Sequence, residues 1–438
     1  MKKYFYALLF KYLSLYIFKE DRVVSVEPVS DRISQKLKQV RIFTRENKKS
    51  IVKCNKTMSA RDVKTYNPDY ILLDGTIHYD ENIQDLFKDI HGLCRYNTRL
   101  VVVFYNSMWR PLVRLSVKMG LRDALPEENW VSPNDVNNFL RLSDFETVHS
   151  SSRILIPFYI PLLSNIINRY IAPLPLFNLF NIVNFTIAKS CYNAFPSPKP
   201  SVSVVVAARN EEQHIDDIIK RVPTMGPDDE LIIIEGNSTD RTWDKIQEAY
   251  EAHKNSMNLK IGQQNGKGKG DAVRKGFDMA TKEIFMILDA DLTVPPEELP
   301  KFYEAILSGK GEYINGSRLV YPMDDEAMRY ANIIGNKFFA LAFSFVLGQR
   351  FKDTLCGTKV ISRENYLQLA KHRCYFGDFD PFGDFDLIFG ASRMCLKIVE
   401  VPIKYRKRVY GDTNISRWSH GVILLKMLLF ASRKIKFI

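Results

Sequence analysis

Apolar runs of strand length alternate with stretches of helical periodicity along most of this chain, the pattern of an α/β protein. In the second half, Val202–Ala208, Glu230–Ile234 and the run 284–292 (Ile-Phe-Met-Ile-Leu-Asp-Ala-Asp-Leu) each predict a buried strand. Helical spacing follows the first of them at Ile215, Ile218 and Ile219. In the first half, Arg22–Val26, Tyr70–Asp74 and Leu100–Tyr105 read as strands. Asn82–Cys94 and Pro111–Met119 read as helices, Ser132 or Asp135 as a helix cap, and Phe145–Val148 as the opening of a late strand. The apolar stretch 154–188 is interrupted by Pro157, Pro161, Pro173 and Pro175, which excludes one long helix. Phe195-Pro196-Ser197-Pro198-Lys199-Pro200 predicts an extended linker. The expected organisation is two Rossmann-like domains, at 1–195 and 201–418, joined by the linker 196–200 and followed by an amphipathic basic helix at 419–438.

Each strand of the second half ends in polar residues, and the carboxyl ends of strands are where α/β sheets bind ligands. Ala208 leads into Arg209, Asn210 and Glu211, and Ile234 into Glu235. The run 284–292 ends in Asp289-Ala290-Asp291, whose i, i+2 spacing would set both carboxylates on one side of a strand. Two like charges so placed call for a cation, and oxygen ligands suit Mg²⁺ or Mn²⁺. Asn265-Gly266-Lys267-Gly268-Lys269-Gly270-Asp271-Ala272 offers close backbone approach and cations for an anion. It matches neither a Walker A loop nor a dinucleotide fingerprint.

In this order the motifs resemble a family 2 glycosyltransferase of the GT-A fold, close to the dolichol-phosphate mannose synthase group, over residues 200–418. The resemblance implies that Ala208, Arg209, Asn210, Glu211, Glu235, Lys269 and Asp289 bind the nucleotide of a sugar donor. It makes Asp289 and Asp291 the metal ligands, with Asp291 catalytic. Gly316-Ser317-Arg318, Asp353-Thr354-Leu355-Cys356-Gly357 and 408–414 resemble further motifs of that family, and Arg318, Arg406 and Arg408 are candidate cations for acceptor or donor phosphate. Arg209 stands where the family has Tyr, and Thr413-Asn414 where it has Ser-Lys. A departing nucleoside diphosphate needs its charge neutralised. An acceptor that is itself a polyprenyl phosphate needs little help from a base. A saccharide or lipid hydroxyl would need one, for which Asp384 or Asp386 is the candidate.

The formal net charge of +12, without a nucleic-acid motif, suits phosphorylated substrates or anionic lipid and argues against nucleic acid. The six cysteines are scattered and read as reduced thiols of a cytoplasmic protein, which makes sequons such as Asn184-Phe185-Thr186 chance matches. No segment reads as a membrane span. The run 331–349 and the tail 421–438 read instead as interfacial helices, placing the protein at the cytoplasmic face of a membrane. Residues 67–190 resemble the carboxyl-terminal part of a class I S-adenosylmethionine-dependent methyltransferase. The turn after the first strand, Glu27-Pro28-Val29-Ser30-Asp31, has no glycine, so the expectation is a non-catalytic domain that does not use S-adenosylmethionine, although Glu27 could imitate a ribose-binding carboxylate. The competing reading of another class is an inactive lipid- or partner-binding protein, against which the intact Asp289-Ala290-Asp291 speaks.

Overall fold

Continuous β-branched and apolar runs need burial on both faces, and a parallel sheet covered by helices supplies it. The computed structural model describes residues 2–28, 31–34, 36–37, 40–45, 57–120, 129–192, 195, 199–322, 330–373, 385–408 and 417–438. Cys54, Cys374, Asp384, the turn positions Val29 and Ser30, the linker residues 196–198 and the motif positions 409–414 lie outside them. The chain forms two units, one of residues 1–192 with 435–438, the other of residues 193–434. Each is mixed α/β around a seven-stranded, mainly parallel sheet.

The first unit contains β1 (Val23–Val26), β2 (Val40–Phe43), β3 (Thr57–Met58), β4 (Tyr70–Asp74), β5 (Arg99–Tyr105), β6 (Phe145–Arg153) and β7 (Val183–Ser190). Their order is β3-β2-β1-β4-β5-β7-β6, with β7 antiparallel to both neighbours. The expected strands are present within a residue or two of their ends, and Ser132 caps its helix in a reciprocal box with Asp135. β7 is the element the sequence concealed. It falls inside the proline-broken stretch, yet all eight residues are buried, including Asn184 and Lys189. The sequon at Asn184 is therefore sealed inside a sheet.

The second unit contains β8 (Val202–Ala208), β9 (Glu230–Glu235), β10 (Leu259–Gln263), β11 (Ile284–Asp289), β12 (Tyr313–Ser317), β13 (Lys359–Ser362) and β14 (Ile398–Pro402), ordered β10-β9-β8-β11-β13-β12-β14. The chain winds outward from β8 to β10, then returns to β8's other side at β11, so the β8/β11 boundary is a topological switch point. Its register sets Ala207 beside Asp289 and Ala208 beside Glu235. β11 is shorter than expected. It ends at Asp289, and Asp291 sits in the following turn, so strand alternation does not orient it. Leu292 closes the turn at φ 52°, a left-handed conformation that is costly for leucine.

The helix Gly268–Met279 lies against β8, with Gly276 facing Val205 so closely that a Cβ would overlap its methyl groups. Gly276→Ala should therefore overpack the contact and destabilise the unit by about 1–3 kcal/mol, read as a lowered urea midpoint at unchanged slope.

Candidate functional site

The loops at the carboxyl ends of β8, β9 and β10 are joined by side-chain hydrogen bonds. Asn210, at φ 56°, accepts from the Thr239 amide at 2.8 Å through Oδ1, and its own amide donates to Ser238 Oγ at 3.1 Å. Asn237, at φ 57°, donates to the Gly266 carbonyl at 3.0 Å. Asparagine adopts this backbone region more cheaply than most residues, which explains its use at both turns. Glu235 is buried and fully engaged: it accepts from the Ser238 amide at 2.5 Å and from Gln263 Nε2 at 3.0 Å. Ala208 is buried beside it, whereas Arg209 is exposed.

Around the switch point, carboxylates and cations are interleaved. Lys269, from the first turn of its helix, places Nζ 2.5 Å from Asp289 Oδ1. Asp291 accepts from Thr293 Oγ1 at 2.8 Å and from the Thr293 amide at 3.2 Å, which fixes it in its turn. Its other oxygen lies 3.7 Å from Arg408 Nη1, while Arg408 Nη2 donates to Glu211 Oε1. Glu211 is buried and also accepts from His214 at 2.8 Å. Burial pushes its carboxyl above the ordinary value, and His214 and Arg408 oppose that shift. Gly357 lies against the Asp289 carboxylate and the Lys269 ammonium, where a Cβ would overlap both. The structure thus brings Glu211, Lys269, Asp289, Asp291 and Arg408 to one place.

Three other expected residues are differently employed. Arg318 is buried in a fork with Asp353, Nε to Oδ2 at 2.6 Å and Nη2 to Oδ1 at 2.9 Å, and its guanidinium lies 5.2 Å from the Tyr405 ring centre. Asp353 also accepts from Asn336 at 3.0 Å. Although burial alone would raise it, the Arg318 charge and these hydrogen bonds hold its carboxyl down at about 2. Arg406 reaches the Asp291 turn through its backbone, donating to the Thr293 carbonyl at 3.0 Å. Asp386 is buried in the first turn of the helix Phe385–Arg393, 3.1 Å from Arg373 and 4.0 Å from Arg274. Sequence reasoning passed over Thr293, His214 and Gln263 as working residues, whereas Asp353 and Gly357 stood at the two ends of a motif it had singled out. Of the three passed over, only Thr293 had a local signal, a hydroxyl two residues after the carboxylate it holds.

The donor set suits a hard divalent ion. Asp289 and Asp291 offer carboxylate oxygens at partly exposed side chains, and Mg²⁺ characteristically takes one or two carboxylates with substrate phosphates. Among the described residues no cluster of three or more His, Cys, Asp or Glu could hold a metal without such help. In the first unit the carboxylate expected to face a ribose is paired with an arginine. Glu27, after β1, has φ 43° at a position where glycine would be at ease, and its carboxylate accepts from Arg45 Nε at 3.0 Å and Nη2 at 3.1 Å. Arg45 also pairs with Asp80. The carboxylate that would take a ribose is occupied.

Residues 203–368 match the family model described as glycosyl transferase family 2. A dolichol-phosphate mannosyltransferase of Pyrococcus furiosus is 36% identical over 49% of this chain and 59% of its own length. A dolichyl-phosphate hexose transferase of Haloferax volcanii is 27% identical over 52% of this chain and 92% of its own. A crystal structure of glucosyl-3-phosphoglycerate synthase from Mycobacterium tuberculosis with Mn²⁺ and UDP is 18% identical at TM-score 0.37, over 55% of this chain and 81% of that one. The chain therefore spans under two thirds of the Pyrococcus protein. Residues 203–368 are therefore similar to a family 2 glycosyltransferase domain.

Two predictions follow from this geometry. Gly357→Ala should force Asp289 and Lys269 apart, cutting turnover by about tenfold or more while the melting temperature moves little. Asp353→Asn should leave Arg318 buried without its counter-charge and cost about 3–5 kcal/mol. Because the native Asp353 carboxyl lies below its unfolded value of 3.8, the native state binds fewer protons there. Its contribution is complete above about pH 4 and is lost as pH falls through about 2. The Asn variant should lack that component in acid titrations of stability.

Proposed function

We propose that the second unit, read as a GT-A domain, transfers a sugar from a nucleotide donor to a polyprenyl phosphate at the cytoplasmic face of a membrane, with inversion at the anomeric carbon. The observation that carries this reading is the interleaving of Asp289 and Asp291 with Lys269 and Arg408 at the β8/β11 switch point. The names of the Pyrococcus and Haloferax relatives support the polyprenyl-phosphate acceptor.

In this reading Asp289 and Asp291 would hold a Mg²⁺ or Mn²⁺, which would supply neutralising charge for the donor diphosphate. Glu235 and the Asn210 and Asn237 turns shape the nucleotide side, with Ala208 and Arg209 at its edge. Lys269 and Arg408 supply further positive charge at the leaving diphosphate. An acceptor phosphate oxygen forms the new bond to the anomeric carbon as the bond from that carbon to the diphosphate breaks, and the leaving group carries away the electron pair. An ionised phosphate requires no proton removal. That requirement separates the two acceptor classes, because the Asp386 charge is already shared with Arg373 and Arg274. A hydroxyl acceptor would need a freer base.

The helices Tyr330–Leu347 and Arg417–Ala431 support the membrane-surface part of the reading. They pack on one another and expose Ile334, Phe338 and Leu341 from the first, and Val422, Leu425 and Leu429 from the second. Among the described residues no helix is long and apolar enough to cross a membrane. The first unit we read as a methyltransferase-like domain without catalytic function. Its β1/β4 reversal of strand order supports the Rossmann-like part of that reading, and the Arg45–Glu27 pairing supports the lack of cofactor.

The test is a panel of nucleotide sugars offered to a polyprenyl phosphate in detergent, with Mn²⁺ or a chelator. Metal-dependent lipid-linked sugar is expected. Donor hydrolysis without lipid product would redirect the acceptor to a hydroxyl, and no turnover would favour a binding role. Asp291→Asn should lower turnover by about a thousandfold with the fold intact. Arg408→Ala should raise KM for donor or acceptor, and unchanged KM for both would remove it from the site.

A further inference from the structure

The first unit exposes large apolar side chains on segments that are otherwise firmly built. Leu162, Leu176 and Leu179 are 78%, 83% and 69% exposed. Leu162 has φ 61° and ψ −49°, a conformation that is strained for leucine. Buried polar residues hold these segments in place. Ser164 accepts from the Ile160 amide at 2.6 Å and donates to the Phe158 carbonyl at 2.9 Å. Asn168 accepts from the Leu155 and Ile156 amides at 2.8 and 3.0 Å. Asn181 donates to the Ala172 carbonyl at 2.7 Å. Fully buried polar side chains are thus used to keep leucines in solvent.

Neighbouring segments continue this surface. Trp109 Nε1 donates to the Phe180 carbonyl at 3.0 Å, and Asn106 Nδ2 donates to that of Leu179 at 2.9 Å. The helix Arg110–Lys118, which starts there, buries none of its residues and exposes Leu112 and Leu115 beside Arg110, Arg114 and Lys118. On another side, Tyr4 of the helix Lys2–Leu13 donates to Asn165 Oδ1 at 2.9 Å and stacks edge-on with Tyr159 at 5.4 Å.

Charge selects the occupant. Residues 2–19, 90–120 and 154–192 contain no Asp or Glu, whereas they carry Lys3, Lys11, Arg110, Arg114, Lys118 and Arg169. Partial burial, and then the nearby Arg169 and Arg153, push the Lys11 ammonium below its ordinary value. Backbone groups around the exposed leucines are paired within the segments: the amides of Leu163, Ser164, Ile166 and Phe177 donate to the carbonyls of Pro161, Ile160, Leu162 and Leu174. A protein interface would draw on such groups for its own hydrogen bonds, whereas a lipid interface requires them already paired.

We propose that this face of the first unit docks on an anionic lipid bilayer, its leucines entering the headgroup boundary and its Lys and Arg meeting lipid phosphates. The inference does not rest on the transferase reading, because binding is read without donor or acceptor. The full chain is floated with phosphatidylcholine vesicles containing or lacking phosphatidylglycerol. The wild type should float with the anionic vesicles and release as salt rises. The triple variant Leu162→Asp, Leu176→Asp and Leu179→Asp should partition about tenfold less or weaker still, with unchanged circular dichroism and melting, since exposed positions tolerate substitution. A variant that floats like the wild type would overturn the proposal, as would a wild type that ignores anionic vesicles. A vesicle-free dimer in sedimentation that the same triple variant abolishes would also overturn it and assign the face to a second copy of the chain.

Discussion

Asp353 is fully buried, and its charge has to be answered from several directions at once. Arg318 after β12 grips both oxygens, and Asn336 reaches one from the helix Tyr330–Leu347. Glu400 on β14 accepts from the Asp353 amide at 3.0 Å, and Asn315 on β12 donates to its carbonyl at 2.6 Å. Four residues further on, the same loop presents Gly357 to Asp289 and Lys269. A buried ion pair adds little net stability over an apolar alternative, but removing one partner is costly. Its effect here is positional: the antiparallel half of the second sheet and the exposed helix are tied to the loop that closes over the strand-end carboxylates.

The site can be understood as a balance of like and unlike charges assembled at a sheet edge. Glu211, Asp289 and Asp291 would repel one another, and Lys269, Arg408 and His214 lie between them. Local chemistry adds to this: the Thr293 hydroxyl donates to the Asp291 carboxylate, and the Glu211 backbone amide donates to the Thr242 hydroxyl. Such a constellation is ordered before any ligand arrives, which reduces the reorganisation that a charged substrate would otherwise impose.

Much of this arrangement was legible in the chain because parallel strands announce themselves. Val202–Ala208 and 284–289 are too apolar to lie anywhere but in a covered sheet, and the residues after them have to be the ligand-facing turns. Less legible was what each charge does. Arg318 and Arg408 both stand in motifs that resemble the family's, yet one is neutralised by Asp353 and the other faces the strand-end carboxylates. That distinction depends on contacts between residues far apart in the chain, which no local pattern records. β7 was hidden for a related reason: prolines before it masked its start, and its polar Asn184, Thr186 and Lys189 are buried only because β5 and β6 enclose them.

Residues 435–438 count with the first unit, where the Lys436 carbonyl accepts from Arg153 at 2.8 Å and the Phe437 carbonyl from Arg169 at 3.1 Å. Arg153 is buried over the Tyr12 ring, and the Lys436 carbonyl gives its guanidinium a hydrogen-bond acceptor there. On the ribosome, the segment that completes the first unit emerges only after the whole second unit has been made. The early unit must therefore wait, incomplete at Arg153, through synthesis of everything between, and its final closure carries the entropy of a loop as long as a domain. Assembly of the two units is interleaved in time even though their sheets are separate in sequence.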